Sequence, residues 1–214
     1  MPSQAYAVLI ADVRESSSRA GLRALLGKKL DAASRKHLRQ KLIRLPYSVT
    51  AGDEFQTVIA NLPAVPELIL ELRAALQPLS LRIGVGFGRI SDRLQPPVNR
   101  LGGEAFQFAR RAIESVKGGH VFKFDVLTAF ASRNEPFNTT INLIYGLNDS
   151  LVLRISAKQW EAIAQFLDKP KLEPSARRLK LDISTVSRTL KRGYYWQLTE
   201  TVKLAASLIG RSFR

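Results

Sequence analysis

Residues 5–12, AYAVLIAD, decide the architecture. The unbroken apolar run Ala5–Ala11 predicts a central strand covered on both faces, and Asp12 places a carboxylate at its carboxyl end. Downstream, Leu22, Leu25, Leu26, Leu30, Leu38 and Leu42 recur at helical spacing, while ten basic residues against two acidic ones lie between Arg14 and Arg44. One or two amphipathic helices with a basic outer face follow from that pattern. Residues 48–60 (SVTAGDEFQTVIA) read as two short strands around Ala51-Gly52-Asp53-Glu54, since Gly-Asp between apolar segments is a hairpin signal.

Pro66 opens a helix with the stripe Leu68, Ile69, Leu72 and Leu76, closed by Pro78. Leu81–Gly88 (LRIGVGFG) alternates strictly, with Leu81, Ile83, Val85 and Phe87 on one face and Arg82, Gly84, Gly86 and Gly88 on the other. The bare glycine face lets a backbone or a ligand approach closely. A helix over Glu104–Lys117 stops at Gly118-Gly119, and residues 120–124 (HVFKF) read as the last strand. The order strand, helices, hairpin, helix, strand, helix, strand predicts an α/β fold, an α+β sandwich with its helices on one face.

The 214 residues are 45% apolar and 24% charged, an ordinary globular balance. Absence of Cys excludes disulfides, thiolate chemistry, iron–sulfur clusters and cysteine zinc sites, and His37 and His120 alone cannot cage a metal. Any metal must therefore be held by oxygen. The first apolar run is too short to span a bilayer and lacks a basic lead and a cleavage pattern, so a cytoplasmic protein without a membrane partner is expected. A net charge of +15 favours polyanionic partners. Residues 1–150 hold 20 basic and 13 acidic side chains and residues 151–214 hold 13 and 5, so the last third carries over half the excess. The polar stretch 131–140 (ASRNEPFNTT) is the best linker candidate. The expected division is residues 1–130, a linker and connecting helix over 131–153, and a second unit over 154–214.

In that second unit, Ser156 and Gln159 form a capping box opening a helix through Trp160, Ile163, Ala164 and Leu167, which Pro170 ends. Residues 175–193 (SARRLKLDISTVSRTLKRG) then read as a helix-turn-helix. Ala176, Leu179 and Leu181 pack one helix on the next, Asp182 caps the second, and Val186 and Leu190 point inward. Ser184, Thr185, Ser187, Arg188 and Lys191 are left on the exposed side, where a recognition helix meets base edges and phosphates in a DNA major groove. Arg188 suits guanine O6 and N7, and Arg177, Arg178, Lys180 and Arg192 suit phosphates. A plain three-helix bundle with a solvated basic face is the alternative. The closing segment Trp196–Ile209, with Leu198, Val202, Ala205, Ala206 and Ile209 on one face, either completes the bundle or pairs two chains.

Asp12 and Asp53 lie far apart in sequence, yet a central strand and an adjacent hairpin bring both to one sheet edge. Two carboxylates with no balancing base nearby suit Mg²⁺, which is usually held by one or two carboxylates plus a nucleotide's phosphates. The turn after Asp12 offers Arg14, Ser16 and Ser17 to phosphate, and Gly52 allows close approach in the hairpin. The plainer reading makes Asp12 a helix cap and Asp53 a turn residue.

The strand ending in Asp12, the AGDEF hairpin (51–55), LRIGVGFG and the helix GEAFQFARRAIESVKGG together resemble the palm-type domain of class III nucleotide cyclases and, more distantly, GGDEF diguanylate cyclases. The resemblance covers roughly the first 125 residues and implies a ferredoxin-like palm, with Asp12 and Asp53 as metal ligands. The family's ribose-positioning Asn and phosphate-stabilising Arg fall on Gln107 and Arg111. Val49 and Arg100 stand where base-reading Lys and Asp stand in cyclases, and Ala51 replaces the first Gly of GGDEF, which implies that cyclisation has been lost. Palm and tail together are similar to the SatD-like family of small bacterial proteins.

The leading expectation is a DNA-binding transcription regulator whose palm senses a nucleotide with Mg²⁺. One alternative is a cyclase or related phosphoryl-transfer enzyme, with Asp12 and Asp53 on metal and Arg111 on the leaving phosphate; cyclases share sites between subunits, so this implies a homodimer. Another is an inert dimerisation scaffold whose contact is the glycine face of residues 81–88.

Overall fold

The computed structural model describes residues 5–14, 21–50, 52–119 and 121–213. Its five-stranded sheet has the order β2 (Ser48–Val49), β3 (Phe55–Ile59), β1 (Tyr6–Val13), β4 (Leu81–Gly88), β5 (Thr128–Ala131). β1 runs antiparallel to β3 and β4, and β4 runs parallel to β5. Eight α-helices complete a mixed α/β fold among the described residues: α1 (Leu22–Arg39), α2 (Val65–Ala75), α3 (Glu104–Gly118), α4 (Glu135–Val152), α5 (Ala157–Asp168), α6 (Leu172–Leu179), α7 (Ile183–Arg192) and α8 (Tyr195–Ser212). None of them is long and apolar enough to cross a membrane.

Successive side chains of a strand point to opposite faces, and β1 is buried on both. Ala7, Leu9, Ala11 and Val13 belong to a core shared with α1, α2, α4 and the far half of α8. Val8 and Ile10 pack instead with Ala105, Ala109 and Ile113 of α3. Helices therefore cover both faces of the sheet, not the single face expected. The cause lies in β4, where a Cβ at Gly84 would sit 2.3 Å from the backbone nitrogen of Ile113, and one at Gly86 would sit 2.2 Å from the Ala105 carbonyl. Missing side chains let the backbone of α3 settle directly on the strand. That seat fills the glycine face, which removes the dimer contact expected there.

The last strand is shifted along the chain. Residues 121–124 form no strand, His120 lies outside the described residues, and β5 occupies 128–131. The stretch read as a linker is the end of β5 and the start of α4, whose first turn Asn134 caps by accepting from the Phe137 amide at 3.1 Å. Polar side chains of α4 then complete the edge of the sheet. Asn142 accepts from the Phe130 amide at 2.8 Å and donates to its carbonyl at 3.0 Å, and Asp149 accepts from the Leu127 amide at 2.8 Å. An edge strand's free amides and carbonyls are thus closed by a helix rather than by another strand. Beneath them Arg73 of α2 lies 3.5 Å from Asp149 and donates to the Leu81 carbonyl at 2.9 Å. Burial pushes the Asp149 carboxyl up to about 6, against the pull of Arg73.

Helices α5 to α7 and the first half of α8 close around Trp160, Ile163, Phe166, Val186, Leu190 and Leu198. Leu70 and Ala74 of α2 join this core, while Ala205 and Ile209 of α8 lie in the core beneath the sheet. The closing helix therefore serves both cores.

Candidate functional site

The β1–β4 register sets Asp12 opposite Arg82. Arg82 donates from Nε to Oδ1 at 2.8 Å and from a terminal nitrogen to Oδ2 at 3.1 Å, the bidentate geometry a guanidinium favours. Lys117 Nζ lies 2.9 Å from the Asp12 carboxylate, which is almost wholly buried, and 3.4 Å from Glu54. Arg110 grips Glu54 with two hydrogen bonds of 2.7 and 2.8 Å, and Thr50 donates to it at 3.0 Å. Arg110 and Lys117 are two helical turns apart on α3, so both reach the same rim. Asp53 accepts from the Val13 amide at 3.2 Å, the backbone position next to Asp12.

Electrostatics follow from these contacts. Burial works to raise the Glu54 carboxyl, but Arg110, Thr50 and Lys117 outweigh it and hold the group below the usual carboxylate value. Burial likewise works to lower Lys117, and Asp12 and Glu54 hold its ammonium above the ordinary lysine value. Three cations balance carboxylates that the sequence reading left without a base. That changes the prospects for Mg²⁺. Both Asp12 oxygens already accept from Arg82, Asp53 is drawn to a backbone amide, and no group of three or more metal-binding side chains occurs among the described residues. In this arrangement the residues do not fit a ready divalent-ion site.

Of the other expected phosphate contacts, Arg14 lines the same cleft as Arg82 and Lys117, and the rest are dispersed. Arg14 donates its amide to the Ser80 carbonyl at 2.9 Å, and Gly52 is exposed with φ +61° at the hairpin. Ser16 and Ser17 lie outside the described residues. Gln107 is exposed, and Arg111 engages Glu135 of α4 at 3.7 Å and lies over the Phe108 ring at 5.2 Å rather than joining Asp12. The side chains that do meet the acids are Arg82, Arg110 and Lys117.

A second candidate surface is built by α6 and α7. Lys180 ends α6 in the left-handed region with φ +55°, and the Leu181 amide donates back to the Ala176 carbonyl at 3.0 Å. Asp182 then caps α7, accepting from the Thr185 amide at 2.7 Å and from the Ser184 and Thr185 hydroxyls at 2.6 Å each. These hydrogen bonds hold its carboxyl far below the usual value. Val186 and Leu190 are fully buried, and Ser184, Ser187, Arg188 and Lys191 are exposed on the opposite side. Leu181 is 45% exposed, so it does not pack between the helices as expected. It falls in the turn after α6 has ended, beyond that helix's inner face. Arg177 and Arg178 are paired with Glu173 and Asp168 at 2.5 and 2.9 Å, whereas Lys180, Lys191 and Arg192 have no acidic partner among the described residues.

The profile of the SatD family matches residues 6–207 of this chain. Among solved structures, one described as a regulator of polyketide synthase expression from Bifidobacterium adolescentis is similar, with 15% identity, a TM-score of 0.31, and coverage of 100% of this chain and 83% of that chain. No curated protein sequence matches.

Proposed function

We propose that this chain, which belongs to the SatD family, is a DNA-binding regulator in which α6 and α7 form a helix-turn-helix. In this reading residues 1–130 are a cyclase-type palm that holds a phosphorylated ligand in place of catalysing its turnover. Residues 154–214 are the DNA-reading unit, and α4 joins the two. The observation that carries the proposal is the sidedness of α7. Its Val186 and Leu190 are sealed in the core, while Ser187, Arg188 and Lys191 stand exposed, one short turn after α6.

That arrangement suits a major groove, where phosphate contacts fix position and side chains on base edges fix sequence. Asp182 occupies the Ser184 and Thr185 hydroxyls, so base reading falls mainly to Ser187, Arg188 and Lys191, with Lys180 and Arg192 free for phosphates. The sensing half is supported by the cation-balanced carboxylates at the rim of β1 and by the unpaired positive charge of the molecule. Gel shifts with genomic fragments at about 0.15 M salt test the DNA half, because charge alone binds DNA without preference. A fragment bound well above random DNA, and weakened roughly tenfold or more by Arg188→Ala, is expected. No preference over random DNA would overturn it.

A further inference from the structure

We propose that the cleft beside the Asp12–Arg82 pair binds a nucleotide through the protein's own cations, with no divalent metal. The proposal rests on the reading that the sheet unit senses a phosphorylated ligand, and it names the site and the ligand class. The cleft encloses about 440 Å³, within the roughly 300–1,000 Å³ range of small-molecule sites. Arg14 from the end of β1, Arg82 from the start of β4 and Lys117 from the last turn of α3 form one wall, and Lys123 and two phenylalanines from the loop before β5 form the other.

The charges there are unequal. Arg82 and Lys117 share the negative charge of Asp12, and Lys117 also lies 3.4 Å from Glu54, whose charge Arg110 balances. Among the described residues Arg14 and Lys123 have no acidic partner, and Asp125 is the one carboxylate on the lining. Four cations facing so little negative charge supply what a nucleotide's phosphates ordinarily draw from a metal. Asp12 then acts as a positioning residue, fixing Arg82 and Lys117 at the cleft wall.

Phe122 and Phe124 give the ligand its second half. Their rings stack in parallel, with centroids 5.0 Å apart and planes 1° from parallel, over Gly146 of α4. A Cβ at Gly146 would meet both rings at 3.0–3.2 Å, so the missing side chain seats the pair. Phe124 remains 42% exposed beside the cations, a platform on which a base can stack. A bare phosphate uses only the cations; a nucleotide uses both features.

The full chain is titrated into N-methylanthraniloyl-labelled ATP and GTP, in EDTA and in Mg²⁺, with anisotropy as the readout. Expected is saturable binding in EDTA, displaced by unlabelled ATP or GTP at least tenfold better than by tripolyphosphate. Lys123→Glu and Phe124→Ala, both on an exposed loop, each weaken it tenfold or more, while Lys28→Glu on α1 leaves it unchanged. No saturable binding in EDTA, or binding indifferent to both loop variants, overturns the proposal. Equal displacement by tripolyphosphate overturns it in favour of a bare polyanion. Binding that needs Mg²⁺ and disappears in Asp53→Asn overturns the cleft but leaves nucleotide sensing standing. No binding in either condition overturns both.

Discussion

Asp12 on β1 and Arg82 on β4 face each other across the antiparallel register and share two hydrogen bonds, of 2.8 and 3.1 Å. Asp12 is 3% exposed, so its carboxylate depends on its cations for the solvation that folding removes. The pair fixes the rim on which Lys117, Glu54 and Asp53 converge.

Arg82→Leu leaves Asp12 with Lys117 alone. Its expected cost is about 1–3 kcal/mol of folding stability, read as a lower denaturant midpoint at unchanged slope. Arg82→Lys restores less than half, since an ammonium cannot make the two parallel bonds. An unchanged midpoint in Arg82→Leu would show that the pair contributes nothing.

His37 supplies a pH dependence. Its Nδ1 meets the Tyr47 hydroxyl at 2.8 Å, Nε2 is buried without a partner among the described residues, and burial followed by the charge of Lys36 pushes the ring down to about 4 from 6.5. The unfolded chain takes up a proton below pH 6.5 that the folded ring refuses until near pH 4. Stability is thus fully present above 6.5 and falls through that window by at most about 3 kcal/mol. Asp149, raised to about 6, works in the opposite sense, gaining stability as pH falls from 6 towards its unfolded value. Subtracting the melting curves of His37→Leu from those of the native chain at pH 7.5 and 5 isolates the histidine; equal shifts in both proteins would refute its role.

Two glycines should respond oppositely to alanine. At Gly86 the new Cβ lies 2.2 Å from the backbone of α3, so Gly86→Ala must lift that helix and cost several kcal/mol or the native fold. Gly27, inside α1, has nothing within 4 Å of its Cβ position, and Gly27→Ala should stabilise by roughly 0.5–1 kcal/mol. Thermal melts followed by circular dichroism separate them, and a tolerated Gly86→Ala would contradict the close seat of α3.

On α7, Lys191 is exposed and has no acidic partner among the described residues. If it holds a phosphate, Lys191→Ala weakens preferred and random DNA alike and lowers the slope of log K against log salt by about 1. A change in sequence preference would instead assign it to a base edge.

Much of the fold was legible in the sequence because local patterns coincide with it. The apolar run before Asp12, the hairpin around Gly52 and the alternation of 81–88 became β1, β2–β3 and β4, and the Ser156–Gln159 capping box and the Asp182 cap formed as read. The errors arose where tertiary contact overrides pattern. The alternation in HVFKF imitates a strand, but Phe122 and Phe124 face Gly146 together. Thr128–Ala131 is short and buried on both faces, so no alternation announces β5. The polar residues of 131–140 look like a linker, whereas Asn134 caps α4 and Asn138 accepts from Ser132; the helix expected to follow within 131–153 is α4, whose Asn142 and Asp149 complete the β5 edge.

The candidate site was half legible. A strand end and a neighbouring hairpin were enough to bring Asp53 to the backbone beside Asp12. The cations were not read, because the partner of Asp12 depends on the β1–β4 register and those of Glu54 on how α3 lies across the sheet. One signal was available: Arg110 and Lys117 sit two turns apart on the face of α3 adjoining its apolar stripe, while Arg111 points to α4.

Sequence reading by α7 is tested most directly by selecting bound oligonucleotides from a random DNA pool at about 0.15 M salt, in parallel with the native chain, Arg188→Ala and Lys123→Glu. A helix-turn-helix predicts one motif enriched by the native chain, the same motif with Lys123→Glu, and loss of preference at a guanine position with Arg188→Ala. Recovery of no shared sequence by the native chain, with all three proteins retaining random DNA equally, would contradict it.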